Sequence, residues 1–143
     1  MSKVEFFSEG VPVVEINKKL YGRFIRNLIS MEGKETSAIN IIFCSDMYLL
    51  EMNRQYLQHD YLTDIITFDY NEGGFVSGDL YISVDRVEEN AVEFGCALEV
   101  ELARVIFHGI LHLSGYGDKT PEEEALMREK ENFYLKKFGV VNE

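Results

Sequence analysis

Apolar residues recur along this chain with two different periods, and the change from one to the other marks out most of its elements. Val4 to Phe7 reads as a short strand, followed by a turn near Gly10 and Pro12. From Asn17 to Ser30 the spacing becomes helical, with Leu20, Phe24, Ile25 and Leu28 on one face. Gly33 punctuates the next change, and Ala38 to Cys44 predicts a second strand carrying Ile39, Ile41, Ile42 and Phe43. Ser45 or Asp46 then caps a helix through Leu49, Leu50 and Met52 toward Tyr56. Asp64 to Tyr70 and Asp79 to Val84, separated by Gly73-Gly74 and led in by Gly78, predict an antiparallel strand pair. Helices follow at about Asp85 to Phe94, at about Leu98 to Leu113, and from Thr120-Pro121, where Thr caps and Pro occupies the first turn. No internal repeat and no linker interrupts the pattern, so one domain over residues 1–143 is expected.

The Leu98 to Leu113 helix is apolar nearly all the way round, with Leu102, Val105, Ile106, Phe107, Ile110, Leu111 and Leu113, and should therefore be largely buried. It carries His108 and His112, four residues apart and so one turn above each other, able to present imidazole nitrogens to a single ion. Gly115 and Gly117 are placed to stop the helix and reverse the chain, which would return Asp118 toward the histidines as a third ligand. Two nitrogens and one oxygen leave a coordination position open, the ligand count of a catalytic zinc site rather than of a closed structural one. Glu101 and Arg104 fall on the same angular stripe. They offer either an internal ion pair with hydrogen-bonded histidines, or, for Glu101, a second partner behind a ligating imidazole.

Composition bounds these readings. The 143 residues are 46% hydrophobic and 27% charged, with ten Phe and eight Tyr, a globular composition long enough to bury a core without disulfides. Cys44 and Cys96 form no CxxC pattern and read as reduced thiols, buried as small hydrophobes, in a cytoplasmic protein. No apolar stretch is long enough to span a bilayer and the N-terminus does not read as an export signal, so no membrane role is expected. The formal net charge of −11 argues against a protein that coats nucleic acid, although local patches can still bind it. Lys19, Arg23 and Arg26 form one such stripe, which is either a solvated helix face or a guide for an RNA backbone. His59, in the polar loop Gln58-His59-Asp60, reads as solvated, and Thr63-Asp64 and Gly78-Asp79 as polar loop ends where strands begin.

The run from His108 to Tyr116 resembles the signature HGxLHLxGYDH of the YbeY family, bacterial metal-dependent endoribonucleases associated with ribosomal RNA maturation. Asn53, the segment Thr63-Asp64-Ile65-Ile66-Thr67-Phe68 and the segment Gly78-Asp79-Leu80-Tyr81-Ile82-Ser83 agree with that family in order and spacing, the latter two resembling its TDVLSF and GDIxIS segments. The resemblance covers nearly the whole chain. It implies an α/β (α+β) fold with a small mixed sheet of about four strands flanked by helices, a buried helix carrying the metal, and one divalent ion, zinc, at the mouth of a cleft. It also implies a single-strand-specific endoribonuclease for the 3′ end of 16S ribosomal RNA and for ribosome quality control, with the ribosome, and a ribosomal protein or GTPase, as partners. Two departures stand out. Asp118 occupies the place of the family's third histidine, and its added negative charge should make a bound water less acidic than in an all-histidine site. Leu57 occupies the place of an arginine thought to help with RNA.

The mechanism expected from this set places an ion on His108, His112 and Asp118, where it polarises a phosphoryl oxygen or lowers the pKa of a bound water. Arg104 is expected to hold substrate phosphate if it faces the cleft. Two rivals accompany this reading. A zinc peptidase would share the paired histidines, but its HExxH motif needs a general-base Glu where this chain has Gly109. A non-catalytic ribosome-assembly factor would use the metal structurally.

Overall fold

A computed structural model describes residues 2–58 and 62–140, so His59 lies outside the described residues. The order is β1 (Lys3–Ser8), α1 (Lys18–Met31), β2 (Glu35–Cys44), α2 (Asp46–Met52), β3 (Ile65–Asp69), β4 (Phe75–Ser83), α3 (Val84–Phe94), α4 (Leu98–Leu113) and α5 (Pro121–Lys137). The four strands form a mixed sheet in the order β1-β2-β4-β3. β1 and β4 both run parallel to β2, while β3 runs antiparallel to β4 with Thr67 opposite Leu80.

Side-chain alternation sorts the strands into two faces. Ile39, Ile41 and Phe43 of β2 and Val76, Leu80 and Ile82 of β4 belong to the main core with Ile25, Leu28 and Ile29 of α1, Ile106 and Ile110 of α4, and Met127 and Leu135 of α5. A smaller cluster of Cys44, Leu49 and Ile66, with Met52, Phe68 and Tyr81 against it, lies under α2. Burial pushes the Cys44 thiol up to about 12, so it packs as a small hydrophobe rather than as a nucleophile.

Helix starts follow the caps read from the sequence. Asn17, Ser45 and Thr120 each accept a backbone N–H from three residues on, at 3.0, 3.1 and 3.1 Å. Three boundaries differ from expectation. β2 begins at Glu35 and β4 at Phe75 because Glu35 pairs with Phe75 and Thr36 with Val76, so the ladder extends β2 through polar Glu35-Thr36-Ser37 and β4 through Phe75-Val76-Ser77-Gly78, where Gly78 breaks the alternating signal. The helix expected to reach Tyr56 instead passes after Met52 into a π-turn, Asn53–Leu57, that ends at Gln58 with a left-handed φ of 56°. Gly115, at φ 114°, makes the reversal after α4, whereas Gly117 takes no positive φ; a Cβ there would stand 2.8 Å from Glu123 Oε1.

The fit of α4 on the sheet decides where its histidines go. A Cβ on Gly109 would stand 2.4 Å from Leu80 Cδ2 and 2.7 Å from Ile65 Cδ1, and one on Gly78 would stand 2.5 Å from the Phe68 carbonyl oxygen and 2.8 Å from Leu113 Cδ2. Both glycines are close-approach positions. Among the described residues, no helix is long and apolar enough to cross a membrane.

Gly109→Ala gains about 1 kcal/mol of intrinsic helix propensity, but it drives a methyl into Leu80, which is itself fully buried. Overpacking of this kind costs about 1–3 kcal/mol; with contacts on two side chains at 2.4 and 2.7 Å the cost exceeds the gain, leaving a net loss of up to about 2 kcal/mol and a melting temperature lower by about 2–4 °C for each kcal/mol. A melt at or above the wild-type temperature would show that the sheet yields to the methyl group.

Candidate metal centre

His108 and His112 stand one turn apart on α4, their ring centroids 4.5 Å apart and their planes nearly perpendicular. The chain then turns back sharply. The Ser114 hydroxyl donates to the Ile110 carbonyl at 2.8 Å, and the Tyr116 N–H reaches the Leu111 carbonyl at 3.0 Å. Glu123, near the start of α5, accepts the Lys119 N–H at 2.9 Å and so fixes the far side of the loop. Asp118 therefore returns to the histidines as expected. Its Oδ2 lies 3.1 Å from His112 Nε2 and 3.4 Å from His108 Nε2, and one donor atom from each residue lies within 4.8 Å of the others.

The donor chemistry fits a cation between these atoms. His112 Nδ1 donates to the Tyr116 carbonyl at 2.8 Å, and His108 Nδ1 donates to Glu131 Oε2 at 2.6 Å. A carbonyl or carboxylate can only accept, so each neutral imidazole has its single proton on Nδ1 and turns a lone pair from Nε2 toward the Asp118 carboxylate. Lone pair against carboxylate is repulsive unless a ring is protonated or a cation sits among the three. Ligand atoms bound at about 2.0–2.1 Å in tetrahedral geometry stand about 3.3–3.4 Å apart, close to the two nitrogen–oxygen separations here.

Glu131 is the residue that sequence reasoning missed. Its side chain is 6% exposed, with Oε1 3.0 Å from Arg104 Nη1 and Oε2 on His108. Of the two roles left open for Glu101, the ion pair with Arg104 is not the one formed: α5 packs against α4 and brings Glu131 to Arg104, while Glu101 stays buried, its carboxyl raised above the usual range chiefly by that burial. The signal was present on α5, where Glu131 interrupts the buried stripe of Met127, Tyr134 and Leu135. Burial alone would lower the His108 pKa, but the hydrogen bond and charge of Glu131 outweigh it and hold His108 above 6.5. Burial would likewise raise Glu131, but His108 and Arg104 hold it below its ordinary value.

Two cavities meet at the triad. One, of about 660 Å³, is lined by Arg104, Arg128, Glu101, Glu124 and Glu131 among others. The other, of about 520 Å³, is lined by Asn53, Leu57, Thr63, Asp69, His112 and Lys119 among others. Asp64, His108 and Asp118 line both. Asp64 therefore belongs to the cleft, with its pKa raised chiefly by burial, beyond the loop-end role read from sequence. Asp79 instead accepts from Asn40 Nδ2 at 3.0 Å, which agrees with a structural role. Arg104 lines a cavity, whereas Lys19, Arg23 and Arg26 line neither, and Arg26 Nε donates to the Ser2 hydroxyl at 2.9 Å.

Paired histidines on a buried helix, joined by a carboxylate from the next turn, form the arrangement of a three-donor metal protein with room for a further ligand. Comparison with known proteins narrows that class. Residues 8–139 match the family described as endoribonuclease YbeY, and the chain belongs to that family. Relatives named endoribonuclease YbeY include one from Bacteroides thetaiotaomicron, 53% identical over 129 residues covering 90% of this chain and 94% of the relative. Another, from Flavobacterium psychrophilum, is 52% identical over 120 residues, covering 84% and 86%. The solution structure of a protein from Thermotoga maritima superposes with a TM-score of 0.64 at 29% identity, covering 95% of this chain and 89% of that one. The family resemblance and the mixed α+β fold expected from the sequence are both borne out.

In the metal-free protein, the His108–Glu131 pair adds stability that is lost as pH rises through the elevated His108 pKa, and lost as pH falls through the depressed Glu131 pKa. A proton on His108 would compete with an ion held by the triad, so affinity for a divalent ion should climb with pH and level off only above the raised His108 pKa. Chelator competition between about pH 6 and pH 8 reads this directly. Mass spectrometry should find about one divalent metal ion per chain, absent or weakened in Asp118→Ala; full retention in that variant would remove Asp118 from the ligand set.

Proposed function

We propose that this chain is a metal-dependent endoribonuclease that cuts single-stranded RNA during ribosomal RNA maturation, with His108, His112 and Asp118 holding one zinc ion. The observation that carries the reading is the convergence of two Nε2 lone pairs and one carboxylate oxygen where two cavities meet. Bound there, the ion would supply Lewis acidity and positive charge at the scissile phosphate.

The protein's own residues orient and hold. Glu131 and the Tyr116 carbonyl each take an Nδ1 proton, so both rings present Nε2 to the same point. Asp118 adds a negative charge that an imidazole would not. Lys119, beside Asp118, is the cation in the cavity that also carries Leu57, and Arg128 lines the other. These two side chains reach the substrate's path more directly than the Lys19, Arg23 and Arg26 stripe, which offers an outlying attraction for the RNA backbone. The peptidase alternative has no support at its deciding position, since Gly109 faces Leu80 and Ile65 with no room for a glutamate beside the ion.

Zinc-loaded protein should cleave a single-stranded ribosomal RNA fragment, and His112→Ala should cleave it on the order of 10³-fold more slowly, reflecting several kcal/mol of forfeited charge stabilisation. A zinc-loaded protein that leaves single-stranded RNA intact would defeat the enzyme reading in favour of an assembly factor. Reversing the charges of Lys19, Arg23 and Arg26 should lower RNA affinity and flatten its dependence on salt, by about 0.7 in log–log slope for each phosphate no longer neutralised, with zinc content unchanged. An identical slope removes the stripe from the substrate path.

A further inference from the structure

Glu131 is a carboxylate placed where the fold otherwise puts apolar groups. Met127 and Leu135, one turn before and one turn after it on α5, both belong to the main core. Burying an anion there is costly unless its partners are close and well aligned, and a well-packed hydrophobe of similar size would often serve stability as well or better. The partners are specific. Glu131 Oε2 accepts from His108 Nδ1 at 2.6 Å, and Oε1 accepts from Arg104 Nη1 at 3.0 Å. Arg104 and His108 are four residues apart on α4, so one helical stripe presents a guanidinium and an imidazole to the two oxygens of one carboxylate. Arg128 Nη1 approaches Oε1 more distantly, at 3.9 Å, from an exposed position.

We infer that Glu131 is a positioning residue for the metal centre, and that Arg104 acts through Glu131 rather than on RNA phosphate. The second torsion of a histidine side chain is broad, so a ring without a partner on Nδ1 samples many orientations and both neutral tautomers. The Glu131 oxygen selects the tautomer with Nδ1–H, the one that leaves Nε2 free to ligate, and it sets the plane of the ring. Arg104 pins the other oxygen, which stops the carboxylate from turning about its own terminal torsion. The guanidinium is thereby occupied at the metal end of the larger cavity. The inference rests on the assignment of His108, His112 and Asp118 as ligands in the proposed function, but it requires no RNA.

Zinc affinity, measured by competition with a chromophoric chelator, tests it in wild type, Glu131→Gln, Glu131→Leu, Arg104→Gln and the Arg104→Gln, Glu131→Gln double variant. Thermal melts of the metal-free proteins accompany each measurement. Gln keeps an oxygen that accepts from Nδ1 and Leu does not, so affinity should fall in the order wild type, Gln, Leu, by about 10- to 100-fold across the series. A purely structural carboxylate predicts instead that affinity follows the melting temperature. Arg104→Gln should weaken zinc less than Glu131→Gln, and the double variant should be no weaker than Glu131→Gln alone, because residues that act in series are not additive. Wild-type zinc affinity in Glu131→Leu would overturn the inference. Additive losses, or an Arg104→Gln protein with unchanged zinc affinity and a flatter salt dependence of RNA binding, would overturn the part concerning Arg104. If the Glu131 variants fail to fold, nitrogen NMR of zinc-loaded wild type decides: His108 must carry its proton on Nδ1, with the proton signal hydrogen-bonded and shifted in Arg104→Gln. Wild-type protein that takes up no zinc would defeat the ligand assignment itself, a result distinct from any of these.

Discussion

The contact of α4 with the sheet at Gly109 is the constraint from which the rest of the site follows. Successive residues of a helix turn by about 100°, so once Gly109 faces Leu80 and Ile65, the orientation of every other α4 side chain is set. His108 and His112, about 40° apart in projection, are carried to the flank of the helix. There they meet α5 on one side and the turn after α4 on the other. A side chain at Gly109 would lift or roll the helix and move both imidazoles together. Gly78 secures the same contact further along, because its missing Cβ leaves room for Leu113 in the last turn of α4.

On this frame, the arrangement of acceptors makes the site's electrostatics one-sided. Each imidazole faces oxygen at both nitrogens, and Glu32 strengthens the turn behind them by accepting from the hydroxyls of Tyr116 (2.7 Å) and Tyr134. Glu32 thus ties the residue whose carbonyl orients His112 to the end of α1 and, through Tyr134, to the last turn of α5. The two rings are held by different devices, a buried carboxylate for His108 and a backbone carbonyl in a braced turn for His112. Both devices lie on Nδ1 and both leave Nε2 to Asp118. A proton on His108 would relieve the conflict in the metal-free protein, and on the proposed function an ion would relieve it more completely, linking metal binding to local order.

Much of this was legible in the sequence, for identifiable reasons. The His108 and His112 spacing, the glycine after α4 and the return of Asp118 are local features encoded within eleven residues, and the structure brings those three together. The caps at Asn17, Ser45 and Thr120 are local in the same sense. What escaped was non-local. Arg104 meets Glu131 across 27 positions, and the periodicity of α4 alone offered Glu101 as its partner because only intrahelical neighbours are visible there. The parallel placement of β2 between β1 and β4, and the lengths of β2 and β4, likewise depend on ladder partners far along the chain. Lys19, Arg23 and Arg26 show the limit of local patterning from the other side: the stripe is legible on α1, but its position outside both cavities depends on how α1 packs in the fold.

The charge of the cleft bears on how RNA would be held. Among the described residues, carboxylates outnumber cations in the larger cavity, where Asp64, Glu101, Asp118, Glu124 and Glu131 accompany Arg104 and Arg128. The chain as a whole carries −11, so a polyanion gains no general attraction from it. With Arg104 paired to Glu131, the positive charge that the described cavity residues leave for a phosphate is Arg128, exposed and only loosely held at 3.9 Å from Glu131, together with Lys119 and any ion that the triad would hold. On the proposed function the ion is then part of the RNA-binding surface as well as of the chemistry, and the two affinities are coupled. By linkage, RNA that binds better to the loaded protein must tighten the ion by the same factor. On that reading, a cleft with Leu57 on its wall and a carboxylate, Asp118, among the three donors offers a phosphate little fixed positive charge of its own, so binding leans on the coupling to the ion.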